Sequence, residues 1–288
     1  MLLTRLVILD ELKLPPLPAP LPAPTTDAHT HLESVRERSA LPVAESLALA
    51  RQVGVTRVVD VGVDEASSRR CVEIASTYPC VVANVALHPN EVARHPELVE
   101  AGLAAVAEMA TSPYVRGVGE TGLDYFRTTD PADQARQREV FAAQIEIAVA
   151  TGQTLVIHDR DAHDDLLDVL DGCPKPDRVV MHCFSGDADH ARRCLDRGCY
   201  LSFPGVTTYP ANRFLREALA VTPADRVLAE TDAPYLTPVP QRGRPNASYL
   251  LPHTVAFLAD QRGWDLVETC QQLRRNTFEA FGGPWGDD

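Results

Sequence analysis

Asp27, His29 and His31 alternate with Ala28, Thr30 and Leu32 near the start of a 288-residue chain. On a strand, the period of two sets the three polar side chains on one face. Two imidazoles there can chelate one cation, because neutral histidine is a common transition-metal ligand. A pair of hydrogen-bonded strand histidines leaves the same signature, so His-x-His alone decides nothing. Four further residues change that. Glu120 stands in GVGETGLDYF, His158 in LVIHDR, His182 in VVMHCFSG and Asp232 in LAETDAPYL, each after an apolar run. A buried polar group without a partner costs several kcal/mol. Six nitrogen and oxygen ligands at strand ends need one another, or a metal.

Something must carry these residues to one place. From residue 25 the chain repeats a β-prone run, a polar motif and an amphipathic helical stretch. The β-prone runs cover residues 25–31, 56–63, 80–88, 115–120, 154–159, 178–184, 199–205 and 226–232. Helical patterns lie between them, as at 42–54, 133–152 and 187–198, and residues 248–282 read as two closing helices. Eight such runs alternating with helices imply parallel strands joined by crossovers. Runs such as RVVMHCF and TLVIH are nearly continuous in apolar residues, as strands covered on both faces must be. No Gly-x-Gly-x-x-Gly follows the first run, which removes the main support for an open dinucleotide-binding sheet. The expectation is a (β/α)₈ TIM barrel over residues 25–288, whose chemistry gathers at the C-terminal rim of the strands. Residues 1–24 form a proline-rich N-terminal extension, read as a leader-like strap or tail rather than a signal peptide.

Composition excludes several classes. No apolar run approaches the roughly 18 residues that span a membrane. Seven cysteines without a Cys-x-x-Cys pair argue against a disulfide framework and a thiolate zinc site, and suit a reducing cytoplasm. The net charge of −13 argues against a broad grip on duplex DNA or anionic membrane. A small, metal-rich site on nucleic acid stays open.

The strings HTH, GETGLDYF, a strand-end IH, HCFSG and ETDAPYL, in that order, resemble the TatD family of metal-dependent hydrolases, relatives of the amidohydrolase superfamily. HCFSG and ETDAPYL are specific strings and HTH is not. NVALHPNE (84–91) and RGRPN (242–246) extend the match from about residue 25 to 281, while the proline-rich start is longer than is usual in the family. The resemblance implies two divalent cations (Zn²⁺, Mg²⁺ or Mn²⁺). His29, His31 and Asp232 would hold one, His158 and His182 the other, and Glu120 would bridge both. The lysine count agrees. Related barrels often bridge with a carboxylated lysine, but the only lysines here are Lys13, in the proline-rich lead, and Lys175, before the sixth run.

A metal pair acidifies a water and clamps the attacking and leaving oxygens of a displacement. Asp232 is then the natural proton acceptor. Asp27 is read as an outer partner of a ligand histidine, or as a structural hydrogen bonder. His88 is read as a substrate-positioning residue, an extra cation ligand or a helix cap, and His163 as a first-turn helix residue of little consequence. Arg127, Arg160, Arg242 and Arg244 are candidate phosphate contacts, and Tyr125, Phe126, Phe184, Phe203 and Tyr235 are candidate stacking faces or core. The family's described activity points the same way, to a deoxyribonuclease working on single-stranded DNA ends. Two other readings remain: a hydrolase of amide, lactone or aminoacyl ester bonds, and a metal-stabilised scaffold without activity.

Overall fold

The computed structural model describes residues 8–286. Eight strands, β1 (Thr25–Thr30), β2 (Val55–Val61), β3 (Val81–Val85), β4 (Val115–Asp124), β5 (Thr154–Arg160), β6 (Val179–Met181), β7 (Tyr200–Phe203) and β8 (Val227–Ala229), follow one another in sequence order around a parallel sheet. The sheet closes on itself. Past the end of β8, Asp232 N–H donates to the His29 carbonyl at 3.0 Å, and His31 N–H to the Ala233 carbonyl at 2.8 Å. This is the expected (β/α)₈ TIM barrel.

Local chemistry sets the helix ends. The helix Pro131–Thr151 starts on the Asp130 carboxylate, has proline in its first turn and stops at Gly152, at a φ of 66°. Asp64, Asp187 and Asp265 cap three more helices. The two closing helices are Leu251–Arg262 and Leu266–Ala280.

The two ends of the barrel differ. Ala28, Val59, Val82, Val156, Val180 and Leu228 form an apolar interior, against which Phe281 and Trp285 pack. The Trp285 carbonyl accepts from Arg57 Nε at 2.6 Å, and Trp285 Nε1 donates to the Cys80 carbonyl at 3.2 Å. Arg57 and Cys80 stand at the starts of their strands, so the C-terminal segment plugs the N-terminal mouth and leaves the other mouth to function. The proline-rich lead is a strap over residues 8–24. Leu9, Leu14 and Leu21 are buried in the outer core. Leu21 N–H donates to the Val53 carbonyl, and Tyr249 O–H to the Pro15 carbonyl.

Two of the sheet's register shifts bear on the site. Asp27 pairs with Val58 but Thr30 with Asp60, so three steps along β1 match two along β2. Val118 pairs with Leu155 but Thr121 with Ile157, the same three against two. An extra residue lets two consecutive side chains face one way, and such bulges concentrate next to active sites. Ala28 and His29 both turn inward, while Asp27 lies on the other face and accepts from Thr231 N–H and O–H at 2.8 and 2.6 Å. The one-face reading of Asp27 with His29 and His31 is thereby corrected. Gly119 and Glu120 repeat the device on β4, which runs on to Asp124, so Glu120 sits within the strand and does not end it.

Gly119 has no space for a side chain, since an added Cβ would lie 2.4 Å from Val156 Cβ and 2.5 Å from the Val156 carbonyl. Gly119→Ala should destabilise the fold by about 1–3 kcal/mol, as overpacking does. Gly172→Ala, where nothing lies within 4 Å, should change it by less than about 0.5 kcal/mol. Denaturant unfolding checks both; equal effects would contradict the packing argument.

Candidate metal centre

The six sequence-predicted ligands meet at the open mouth. Glu120 lies at their centre. Its Oε2 is 2.6 Å from His182 Nε2 and 3.4 Å from His158 Nδ1, and its Oε1 is 3.6 Å from His31 Nε2. Asp232 Oδ1 lies 3.4 Å from His31 Nε2 and 3.9 Å from His29 Nε2. The His29 and His182 rings stack at 3.9 Å. His29, His31 and Asp232 converge as one group, and His29, Glu120 and His182 as another.

Each ring's outer nitrogen decides which lone pair faces the centre. His31 Nδ1 donates to the Val61 carbonyl at 2.8 Å, leaving Nε2 free. His158 Nε2 donates to Asp124 Oδ2 at 3.3 Å, leaving Nδ1 free. Glu230 Oε1 lies 3.4 Å from His182 Nδ1, so Nε2 points inward. Carboxylates and carbonyls behind ligating histidines fix tautomer and raise basicity in this way. His29 is fully buried with no hydrogen-bond partner on either nitrogen. An orphaned imidazole among convergent lone pairs and carboxylates fits a divalent cation.

His88 differs. It caps the helix Pro89–Arg94, its Nδ1 accepting from Asn90 N–H at 3.0 Å. Its Nε2 therefore carries the proton, 3.8 Å from Glu120 Oε2. Although His88, Glu120 and His158 also converge, His88 offers the centre an N–H donor, not a lone pair. Burial pushes its pKa down to about 3, so the ring is neutral.

The electrostatics follow from burial. Burial favours a neutral Glu120, yet the His182, His88 and His158 rings hold its pKa well below the ordinary value. Burial opposes charge on His31, yet the Asp232 and Glu120 carboxylates raise its pKa to about 9. Burial also pushes Glu230 up, offset in part by His182. Asp232 itself has φ of 50°, and Cys183, beside His182, has φ of 44°. Left-handed backbone at residues other than glycine costs of order 1–3 kcal/mol and clusters at functional sites.

Above the centre opens a cavity of about 580 Å³, lined by Arg38, Arg94, Arg127, Arg160 and Tyr235 among others. Arg127 and Arg160 were expected there. Arg242 and Arg244 were expected there too, but do not line it. Arg242 lies over the Tyr209 ring at 4.5 Å, and Arg244 donates to Gln241 and to the Lys13 carbonyl. Arg38 and Arg94 stand at the rim instead, from helices Leu32–Ser39 and Pro89–Arg94. Of the aromatic candidates, Phe184 and Phe203 are core, while Phe126 and Tyr235 are 58% and 41% exposed. Sequence reasoning also missed Asp124 and Glu230. Both lie in the motifs GLDYF and ETD, and their charge next to a ligand string was the available signal.

A model of the TatD-related DNase family matches residues 26–282. The chain belongs to that family. A Mycobacterium tuberculosis protein named as the metal-dependent hydrolase TatD is 42% identical over 262 residues, covering 90% of this chain and 98% of its own. An Escherichia fergusonii protein named as the 3′-5′ ssDNA/RNA exonuclease TatD is 31% identical, over 80% of this chain and 88% of its own. Among solved structures, the TatD homolog YJJV of Escherichia coli superposes with a TM-score of 0.82 at 28% identity, covering 90% of this chain and 98% of that one. No helix among the described residues is long and apolar enough to cross a membrane.

Protons and any divalent cation would compete for this centre. Without cations, His31 keeps its proton up to about pH 9, and a cation must displace it. The metal-free protein binds more protons, so apparent affinity should rise with pH, about tenfold per unit for each proton displaced. Titrating Mn²⁺ into weakly buffered protein at pH 7 should release protons; none released contradicts the assignment. Glu230→Gln should lower metal affinity about 10–100-fold while circular dichroism stays native, and unchanged affinity would show that Glu230 does not orient His182.

Proposed function

We propose that this chain is a metal-dependent phosphodiesterase that removes nucleotides from the ends of single-stranded nucleic acid. The observation that carries this reading is the rim. Arg127 and Arg160 line the cavity and have no carboxylate partner among the described residues, on a chain of net charge −13. Unpaired guanidinium groups beside a carboxylate-rich centre suit a substrate that brings its own negative charge, and arginine's fork matches phosphate. The acidic remainder of the surface repels a long duplex, so the substrate enters as a few phosphates at a chain end.

The exposed faces of Phe126 and Tyr235 support a nucleobase. Arg160 lies over Phe126 at 4.0 Å, and Arg38 over Tyr235 at 4.5 Å. Base stacking on aromatic faces is worth roughly 1–3 kcal/mol per base. The Escherichia fergusonii relative's name is consistent with such a substrate.

His29, His31 and Asp232 would hold one divalent cation and His158 and His182 the other, with Glu120 shared. When bound, such a pair supplies an acidified water and neutralises charge developing on the phosphoryl group. The chain's own residues do the rest. Asp232, 13% exposed in its side chain and facing the cavity, accepts the proton of the attacking water and returns it to the leaving oxygen. Arg127 and Arg160 hold the two non-bridging oxygens, and His88 Nε2–H donates to one of them.

Asp232→Asn should lower turnover about 10²–10⁴-fold, the usual worth of a general base, with the fold intact; wild-type turnover would remove Asp232 from that role. Arg160→Ala should raise KM more than it lowers kcat, since it binds phosphate in the ground state, whereas Arg242→Ala should leave both unchanged. The decisive assay sets linear against circular single-stranded DNA in Mg²⁺ and Mn²⁺. Degradation of the linear strand alone is expected. Rapid cutting of the circle would overturn the end preference, and hydrolysis of a carbonyl ester with neither DNA cut would overturn the phosphodiesterase reading.

A further inference from the structure

A second convergence of ligand atoms lies beside the first. Asp159 follows His158 at the end of β5, His163 opens the helix His163–Gly172, and His190 lies on the helix Ala188–Leu195. His163 Nδ1 is 2.8 Å from Asp159 Oδ2, and His190 Nε2 is 3.0 Å from the same oxygen. The two rings stack at 4.0 Å, and Phe184 covers His190 from 5.6 Å. Cys194, one helical turn beyond His190, sets its sulfur 3.6 Å from His190 Nε2.

We propose that Asp159, His163 and His190 form a further divalent-cation site, of the zinc class, separate from the Glu120 centre. Three features carry this. The ligand atoms all lie within 4.8 Å of one another, close enough to close around an ion with metal–nitrogen and metal–oxygen bonds of about 2.0–2.2 Å. The donor set of two imidazoles and one carboxylate, with a soft sulfur neighbour, is one that borderline transition metals take and that Mg²⁺ and Ca²⁺ do not favour. The hydrogen bonding is also lopsided. Both imidazoles crowd Oδ2, while the buried Asp159 Oδ1 has no partner. A cation gripped through both oxygens satisfies the second one.

The position gives the site a consequence. Asp159 lines the catalytic cavity between His158 and Arg160, and its carbonyl accepts from Ser185 Oγ at 2.8 Å. An ion here ties the segments following β5 and β6 together, behind His158, Arg160 and His182. His163 remains 34% exposed in its side chain, which gives the ion an entry path and leaves room for water as a fourth ligand.

The test counts ions. Full-length wild type, His163→Ala and His190→Gln are stripped with chelator, equilibrated with Zn²⁺ alone, desalted and analysed for zinc per chain, with circular dichroism confirming the fold. Each variant should hold one zinc fewer than wild type, and Glu120→Ala should retain the ion that His163→Ala loses, so that the double variant loses both sets. His163, at the surface end of the cluster, keeps the test valid should His190→Gln fail to fold. An unchanged zinc count in folded His163→Ala overturns the proposal. A loss of more than one ion also overturns it, because the cluster would then be part of the Glu120 centre.

Discussion

The carboxylate of Glu120 is buried among four imidazoles, with His182, His158, His31 and His88 at 2.6, 3.4, 3.6 and 3.8 Å. A carboxylate out of water without opposite charge costs several kcal/mol even after relaxation. The barrel therefore cannot assemble around this residue unless the histidines arrive with it, from β1, the end of β3, β5 and the end of β6. That requirement reaches into the backbone. Ordinary alternation on β4 would turn Glu120 toward the helices; the extra residue between Val118 and Thr121 turns it inward, and Gly119 leaves the room. The matching shift on β1 does the same for His29 at the seam where the barrel closes, so barrel closure and ligand placement are one event.

Stability and chemistry occupy opposite ends of the molecule. Phe281 and Trp285 seal the N-terminal mouth with apolar contact, and the interior valines above them isolate the polar floor from that plug. On the open side the outer partners do the positioning: Val61, Asp124 and Glu230 each take the far nitrogen of a ligand ring or lie against it. Only His88 has its far nitrogen, Nδ1, accepting a hydrogen bond, from Asn90 N–H. One histidine can thus donate a proton-bearing nitrogen within a set that otherwise offers lone pairs. The arginines form the next layer out, turned toward the cavity on an acidic chain.

The barrel was legible in the sequence because eight apolar runs with polar ends permit few other arrangements, and the family strings placed all six ligand candidates. Less legible was whatever depends on contacts distant in sequence. A period of two put Asp27 with His29, but the register slip against β2 separates them, and no local pattern announces a bulge. Arg242 and Arg244 sit in a basic loop that resembles a phosphate grip, yet the Tyr209 face and the Lys13 carbonyl, 231 residues away, draw them aside. Arg38 and Arg94 belong to no motif of the sequence, and helix packing aims them at the cavity. The stacking of His163 on His190 has no local signal either, because the two rings lie on different helices.

In the proposed centre a single carboxylate, Glu120, serves two cations. Elemental analysis of wild type and Glu120→Ala, prepared side by side and both shown to be folded, measures it directly. A shared ligand predicts that the variant loses two divalent ions per chain relative to wild type. Loss of a single ion, or of none, would contradict it.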